Sequence, residues 1–189
     1  TEPLNILISK RVNLNEKDKY KITPILYAAK AGRVENIKLM IENEADVLYK
    51  PSASANGALH YAVIHGHFEL VKYLIEQANV PVDHPGENKM TPLHLACRHG
   101  HEEIAEYLIN KGANINAKDK QRRTPFLMAC KNGFPRLVAL LLDRDANFQL
   151  ADNSGNSPLH YACAYGWMEN VKILIKVNAT INVVNMWKI

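Results

Sequence analysis

Apolar residues recur along the chain in two alternating patterns. Five stretches carry a stripe at helical spacing: Ile37, Met40 and Ile41; Val71, Leu74 and Ile75; Ile104, Leu108 and Ile109; Val138, Leu141 and Leu142; and Val171, Leu174 and Ile175. Steps of three and four residues put each set on one side of an α-helix, so each stretch predicts a helix with one buried face. Ahead of every stripe stands a shorter, mostly apolar segment containing Ala28-Ala29, Ala62-Val63, Ala96-Cys97, Ala129-Cys130 or Ala162-Cys163. Such small pairs let short helices approach closely. The pattern predicts five helix pairs, each a closely packed helix followed by an amphipathic one.

The residues between helices are equally periodic. Thr23-Pro24, Gly57-Ala58, Thr91-Pro92, Thr124-Pro125 and Ser157-Pro158 open units spaced 34, 34, 33 and 33 residues apart. A Thr or Ser can cap a helix N-terminus, and Pro suits the first helical position, where its missing N–H costs nothing. Nine residues after each start comes Gly32, Gly66, Gly100, Gly133 or Gly166, which ends the first helix in a left-handed conformation that other residues adopt at a cost. Self-similarity at this period marks a stacked repeat protein.

The motif Thr91-Pro92-Leu93-His94-Leu95-Ala96 and the stretch Lys111-Gly112-Ala113-Asn114-Ile115-Asn116 recur in phase and closely resemble the ankyrin repeat family over nearly the whole chain. The resemblance implies an all-α solenoid of helix–turn–helix units joined by extended finger loops. The units are read as 23–56, 57–90, 91–123, 124–156 and 157–189, preceded by a partial repeat and finger at 1–22. Leu4 to Asn15 aligns with the second helix of an earlier unit, and Asn182 to Ile189 with Asn116 to Arg123. Both ends are therefore expected to cut through repeats.

Composition narrows the function. Hydrophobic residues make up 47% and charged residues 22%, which is ordinary globular usage, and no apolar run reaches the roughly 18 residues of a membrane span. The net charge of +4 favours acidic partners but falls short of the dense charge of nucleic-acid binders. Three cysteines do not make a disulfide framework and suit a reducing, intracellular compartment. The chain is expected to be a monomer.

Catalytic and metal chemistry finds few candidates. No phosphate-binding glycine loop, nucleophile elbow or paired carboxylates are present, so neither an enzyme nor a cofactor is expected. Cys97, Cys130 and Cys163 occupy the same register as Ala29 and Val63 and are read as buried core. The resemblance implies that His60, His94 and His160 hydrogen-bond locally, tying helix to loop. His65, His67, His99 and His101 flank Gly66 and Gly100 and form a four-imidazole set to weigh against zinc or nickel, but no thiol or carboxylate completes it. The resemblance also implies that Asn116 is open to hydroxylation, although the usual acidic residue two before it is replaced by Asn114.

Ankyrin repeats generally bind through their concave face, and the matching positions here are Tyr20, Lys30, Arg98, His99, Lys120, Arg123, Lys131, Tyr165, Trp167 and Trp187. They are basic in the middle and aromatic towards the C-terminal end. Aromatics and Arg dominate binding energy at many interfaces, and Lys118, Lys120, Arg122 and Arg123 form the densest basic cluster, opposed by Asp119. Two residues before each unit, where the family usually has Gly at the finger turn, stand Lys21, Ala55, Lys89, Arg122, Gly155 and Lys188. The fingers at 50–56 and 80–86 carry an extra residue and are expected to be irregular. The expected function is protein–protein interaction with an acidic segment. The resemblance leaves open a role as the regulatory or targeting arm of a larger enzyme, of kinase or ADP-ribosyltransferase type, or of a channel.

Overall fold

The computed structural model describes residues 12–53 and 55–177, and ten α-helices form five consecutive pairs within them. They are α1 Pro24–Lys30 with α2 Val34–Glu42, α3 Ala58–Ile64 with α4 Phe68–Glu76, and α5 Pro92–His99 with α6 Glu102–Asn110. Then come α7 Pro125–Asn132 with α8 Pro135–Asp143, and α9 Pro158–Ala164 with α10 Met168–Lys176. Each first helix packs on its own second helix and on the first helices of neighbouring units, and the second helices pack on one another in the same order. The result is a two-layer solenoid. Helices of seven to nine residues are too short to persist alone in water, so the stacking holds them.

The start and stop signals act as their chemistry requires. Thr124 Oγ1 accepts a hydrogen bond from the Leu127 N–H at 3.2 Å, and Ser157 Oγ accepts one from the His160 N–H at 3.4 Å. In the third unit the His94 ring takes over, its Nδ1 accepting from the Thr91 N–H at 3.1 Å. The first unit departs from the expected cap. Thr23 makes no side-chain cap, and its buried Oγ1 has no partner among the described residues. Leu26 stands there in place of the histidine that meets Thr91 and Ser157.

Packing is tightest in the middle. In α5 every residue from Pro92 to Cys97 is buried, and in α7 every residue from Pro125 to Cys130. Cys97 and Cys130 are in this core, where desolvation pushes both thiols far above their usual range. Cys163 corrects the expectation of three buried cysteines: it is exposed. The physical reason is that α9 packs on α7 along one flank and on no described first helix along the other.

The unit junctions share one device. From α4 onward, the ring at the residue preceding each second helix lies over the glycine of the unit before, so that a Cβ added to that glycine would stand 2.6 Å from His67 on Gly32, 2.9 Å from His101 on Gly66, 2.6 Å from Phe134 on Gly100 and 2.5 Å from Trp167 on Gly133. Three of these rings also donate to a main-chain carbonyl of that earlier unit: His67 Nε2 to Lys30 at 3.0 Å, His101 Nε2 to Ile64 at 3.1 Å and Trp167 Nε1 to Lys131 at 3.0 Å. Each glycine has φ between 67° and 80°, so it both turns the chain and leaves room for the ring.

Candidate interaction surface

No first helix carries an Asp or Glu; among the described residues the acidic side chains lie on second helices, on the loops after them and in the fingers. With so much of each first helix buried, what the first helices and their C-caps expose is Tyr27 and Lys30, His65, Arg98 and His99, and Cys163 to Tyr165, with Lys131 and Asn132 half-buried between them. Arg98 reaches the Met90 sulfur at 4.0 Å, Lys131 Nζ sits 5.3 Å above the Tyr161 ring, and Tyr165 stacks on Tyr161 at 6.5 Å. The first contact joins a first helix to the base of its finger, the second crosses to the next unit, and the third runs along α9 to its cap.

Charge is distributed unequally between the layers. Every ion pair among the described residues but one joins side chains of the second helices and their C-terminal caps, such as Lys38–Glu35 at 2.7 Å, Lys111–Glu76 at 2.8 Å and Arg144–Glu106 at 2.9 Å. None involves Lys30, Arg98 or Lys131. The outer layer pairs its bases, Lys176 excepted, with its own acids and keeps further acids, Glu42, Glu103 and Asp143, in excess, while the inner row keeps its positive charge.

The exception lies in a finger and changes how Arg123 is read. Arg123 pairs with the buried Asp119 through Nη2 at 2.6 Å and Nε at 2.8 Å, and its side chain is 19% exposed. Its carbonyl accepts from His94 Nε2 at 2.9 Å. Sequence reading made Arg123 a partner contact; both its ends are occupied in holding the finger. The same design serves two other fingers. Asp18 Oδ1 accepts from the Tyr20 and Ile22 N–H groups while Oδ2 accepts from the Tyr27 hydroxyl at 2.7 Å. Asp152 Oδ1 accepts from the Ser154 and Asn156 N–H groups while Oδ2 accepts from the Tyr161 hydroxyl at 2.6 Å. The hydrogen bond from Ile22 is the main cause holding the Asp18 carboxyl below its usual range, whereas burial and the bond to Asp152 push the Tyr161 phenol up. Sequence reasoning missed these latches. Their signal was an Asp five residues before a Thr or Ser unit start, with Tyr four residues after it in the first and last units.

The finger tips are basic in the way the sequence suggested. Lys21, Lys89 and Arg122 adopt left-handed backbones with φ of 61°, 60° and 59°, a conformation that costs a non-glycine residue roughly 1–2 kcal/mol. Consecutive fingers are joined by main-chain bonds, Lys120 N–H to the Asn88 carbonyl at 2.8 Å and Asn153 N–H to the Gln121 carbonyl at 2.9 Å. The two longer fingers are held by side chains: Lys50 Nζ donates to the Pro85 carbonyl at 2.8 Å, and Asn56 Oδ1 accepts from the Glu87 N–H at 3.0 Å. Asn116 likewise has a structural task, its Oδ1 accepting from the Asn147 N–H at 2.8 Å.

The remaining sequence candidates separate clearly. Tyr20 is 68% exposed with Lys19 Nζ 4.9 Å above its ring, and Lys120 is exposed on its finger. Trp167 is 39% exposed but is held by Gly133 and the Lys131 carbonyl, so it is first a junction residue. Trp187, Met186 and Lys188 lie outside the described residues. His60 follows the pattern of His94, with Nδ1 accepting from the Gly57 N–H and Nε2 donating to the His84 carbonyl at 2.8 Å; its burial lowers the imidazole pKa to about 4. His67 and His101 donate Nε2–H to carbonyls of the unit before, and no group of three or more His, Cys, Asp or Glu among the described residues is placed to hold a metal ion. His65 and His99 are held below the usual imidazole value by desolvation first, then by neighbouring cationic or titratable groups: His67, Lys30 and His101 for His65, and Arg98, His101 and His65 for His99.

No helix among the described residues is long and apolar enough to cross a membrane. No curated protein matches the chain. A family model described as ankyrin repeats in three copies matches residues 1–84, 48–119 and 117–185, together nearly the full sequence. Ankyrin repeats are generally modules of protein–protein interaction and typically non-catalytic, and by this match and its stacked helix pairs the chain belongs to the ankyrin repeat family.

Proposed function

We propose that this chain binds an acidic segment of a partner protein along the row formed by the ends of its first helices, with Lys30, Arg98, His99 and Lys131 as the electrostatic contacts and Tyr165 as the apolar one. The observation that carries this reading is the uncompensated charge of the row beside an outer layer whose bases, Lys176 excepted, are paired with its own acids. Lys120 and Tyr20 extend the contact onto the fingers, and Trp167 contributes its exposed edge. The free thiols suit a reducing compartment inside the cell.

The test is affinity capture of a native partner by the wild-type chain and by a triple Lys30→Glu, Arg98→Glu, Lys131→Glu variant. These three side chains make no ion pair among the described residues, so the variant is expected to keep its melting temperature within a few degrees and to lose the partner at least a hundredfold. Retained affinity in a folded variant would remove the row from consideration. Arg123→Glu is a poor choice for this purpose, because it breaks the finger latch.

A further inference from the structure

Two imidazoles occupy the centre of the basic row, each at the end of a first helix. His65 caps the C-terminus of α3 and His99 is the last residue of α5; both are exposed, and no hydrogen bond among the described residues engages either ring. Each stacks on the ring two residues further on, His65 on His67 at 6.0 Å and 27°, and His99 on His101 at 6.2 Å and 19°. Those second rings are pinned by their bonds to the Lys30 and Ile64 carbonyls. The stacks therefore hold His65 and His99 in place while leaving their ring nitrogens available to a ligand.

The charged groups facing the pair are Lys30 from α1 on the His65 side and Arg98 from α5 on the His99 side, and the titratable ones are His67 and His101 ahead of α4 and α6. The nearest acids in sequence, Glu69 and Glu102 in the first turns of α4 and α6, face Lys72 at 3.5 Å and Arg136 at 3.7 Å. A cation flanks each of the two rings, and no acid is opposite them to support a second proton. An anionic ligand laid on the row would supply that acid.

We propose that docking of an acidic segment on this row is coupled to proton uptake by His65 and His99, so that the chain holds such a segment more tightly as the pH falls below neutrality. The proposal rests on the reading of the row as the partner's seat. Each imidazole takes a proton from solvent as a carboxylate of the ligand approaches, and the new N–H donates to that carboxylate. Both rings are pushed below the ordinary imidazole value in the free protein, and a bound anion raises them. Affinity must therefore rise as pH falls through the raised value and level off beneath the free-protein value.

The measurement is calorimetric titration of the whole chain with a Glu-rich peptide at pH 7.5, 6.8 and 6.0, in two buffers of different ionisation enthalpy. Glutamate carboxylates, with a pKa of about 4.3, stay ionised over this range. Affinity is expected to rise roughly fivefold or more from pH 7.5 to 6.0, equivalent to a shift of about one pKa unit shared by the rings, with net proton uptake. A His65→Asn/His99→Asn double variant is expected to give a flat profile, and a His65→Lys/His99→Lys variant to bind at pH 7.5 as tightly as the wild type does at 6.0. Circular dichroism at each pH confirms that the exposed substitutions leave the stack folded. A flat wild-type profile, or a pH dependence that survives in the double Asn variant, overturns the coupling and leaves the row standing. No binding at any pH overturns both.

Discussion

Single side chains set how this chain answers pH and thiol reagents. His60 is buried neutral with both nitrogens bonded, and a proton added to Nδ1 would displace the Gly57 N–H. Its folded pKa of about 4 lies below the 6.5 of a free imidazole. The unfolded chain thus binds more protons between those values, so the contribution is complete above pH 6.5 and falls as the pH drops towards 4. The loss amounts to about 3 kcal/mol at most, and His94, lowered for the same reason, adds in the same direction. Urea titrations from pH 7 to 4 are expected to show a declining midpoint, and a His60→Asn variant a lower starting point with a shallower decline. The cysteines give a simpler count. One thiol, Cys163, is expected to react rapidly with a disulfide reagent in the folded protein, with Cys97 and Cys130 appearing after denaturation. The register that made all three cysteines equivalent in sequence was sound. It could not show that Cys163 lies on a helix flanked by a first helix on one side alone among the described residues.

At the level of elements, the helices were readable because their signals are local. A Thr-Pro start, a glycine stop and a stripe at helical spacing each act within one turn. Contacts beyond one helical turn were not readable, since the Trp167 bond to the Lys131 carbonyl of the preceding unit spans 36 residues and the Arg123 pair with Asp119, inside one finger, exists only because a tight turn brings them together. Both residues looked like partner contacts for that reason. The glycines offer a direct comparison of two costs. Gly112 at φ 86° and Gly133 at φ 77° are both left-handed, but a Cβ on Gly112 meets nothing within 4 Å whereas one on Gly133 meets the Trp167 indole at 2.5 Å. Gly112→Ala is expected to lower stability by the backbone strain alone, about 1–2 kcal/mol. Gly133→Ala should cost clearly more and alter Trp167 fluorescence. Equal losses in chemical denaturation would mean that the ring adds nothing to the junction.

Across the whole molecule, the arrangement places acids and their paired bases on one layer and unpaired bases on the other. Composition revealed only the net charge of +4, which is modest; the separation by layer depends on knowing which helix faces which way. Rates of association with an acidic peptide are expected to fall steeply between 20 and 300 mM salt, because contacts between exposed charges are screened over about 10 Å at 0.1 M. Dissociation should change far less. Lys72→Glu, on the outer layer, should leave both rates nearly untouched, and a stopped-flow series on this variant and on Arg98→Glu separates the two faces.

That separation acts before any contact forms. A body with its uncompensated positive charge on one long side has an electric moment across its length, and a polyanion drifting nearby exerts a torque on it. The solenoid is turned towards its ligand during the approach, so fewer encounters are wasted on the wrong side. Moving a single acid from the outer helices to the inner row would slow recognition even where that residue never touches the ligand.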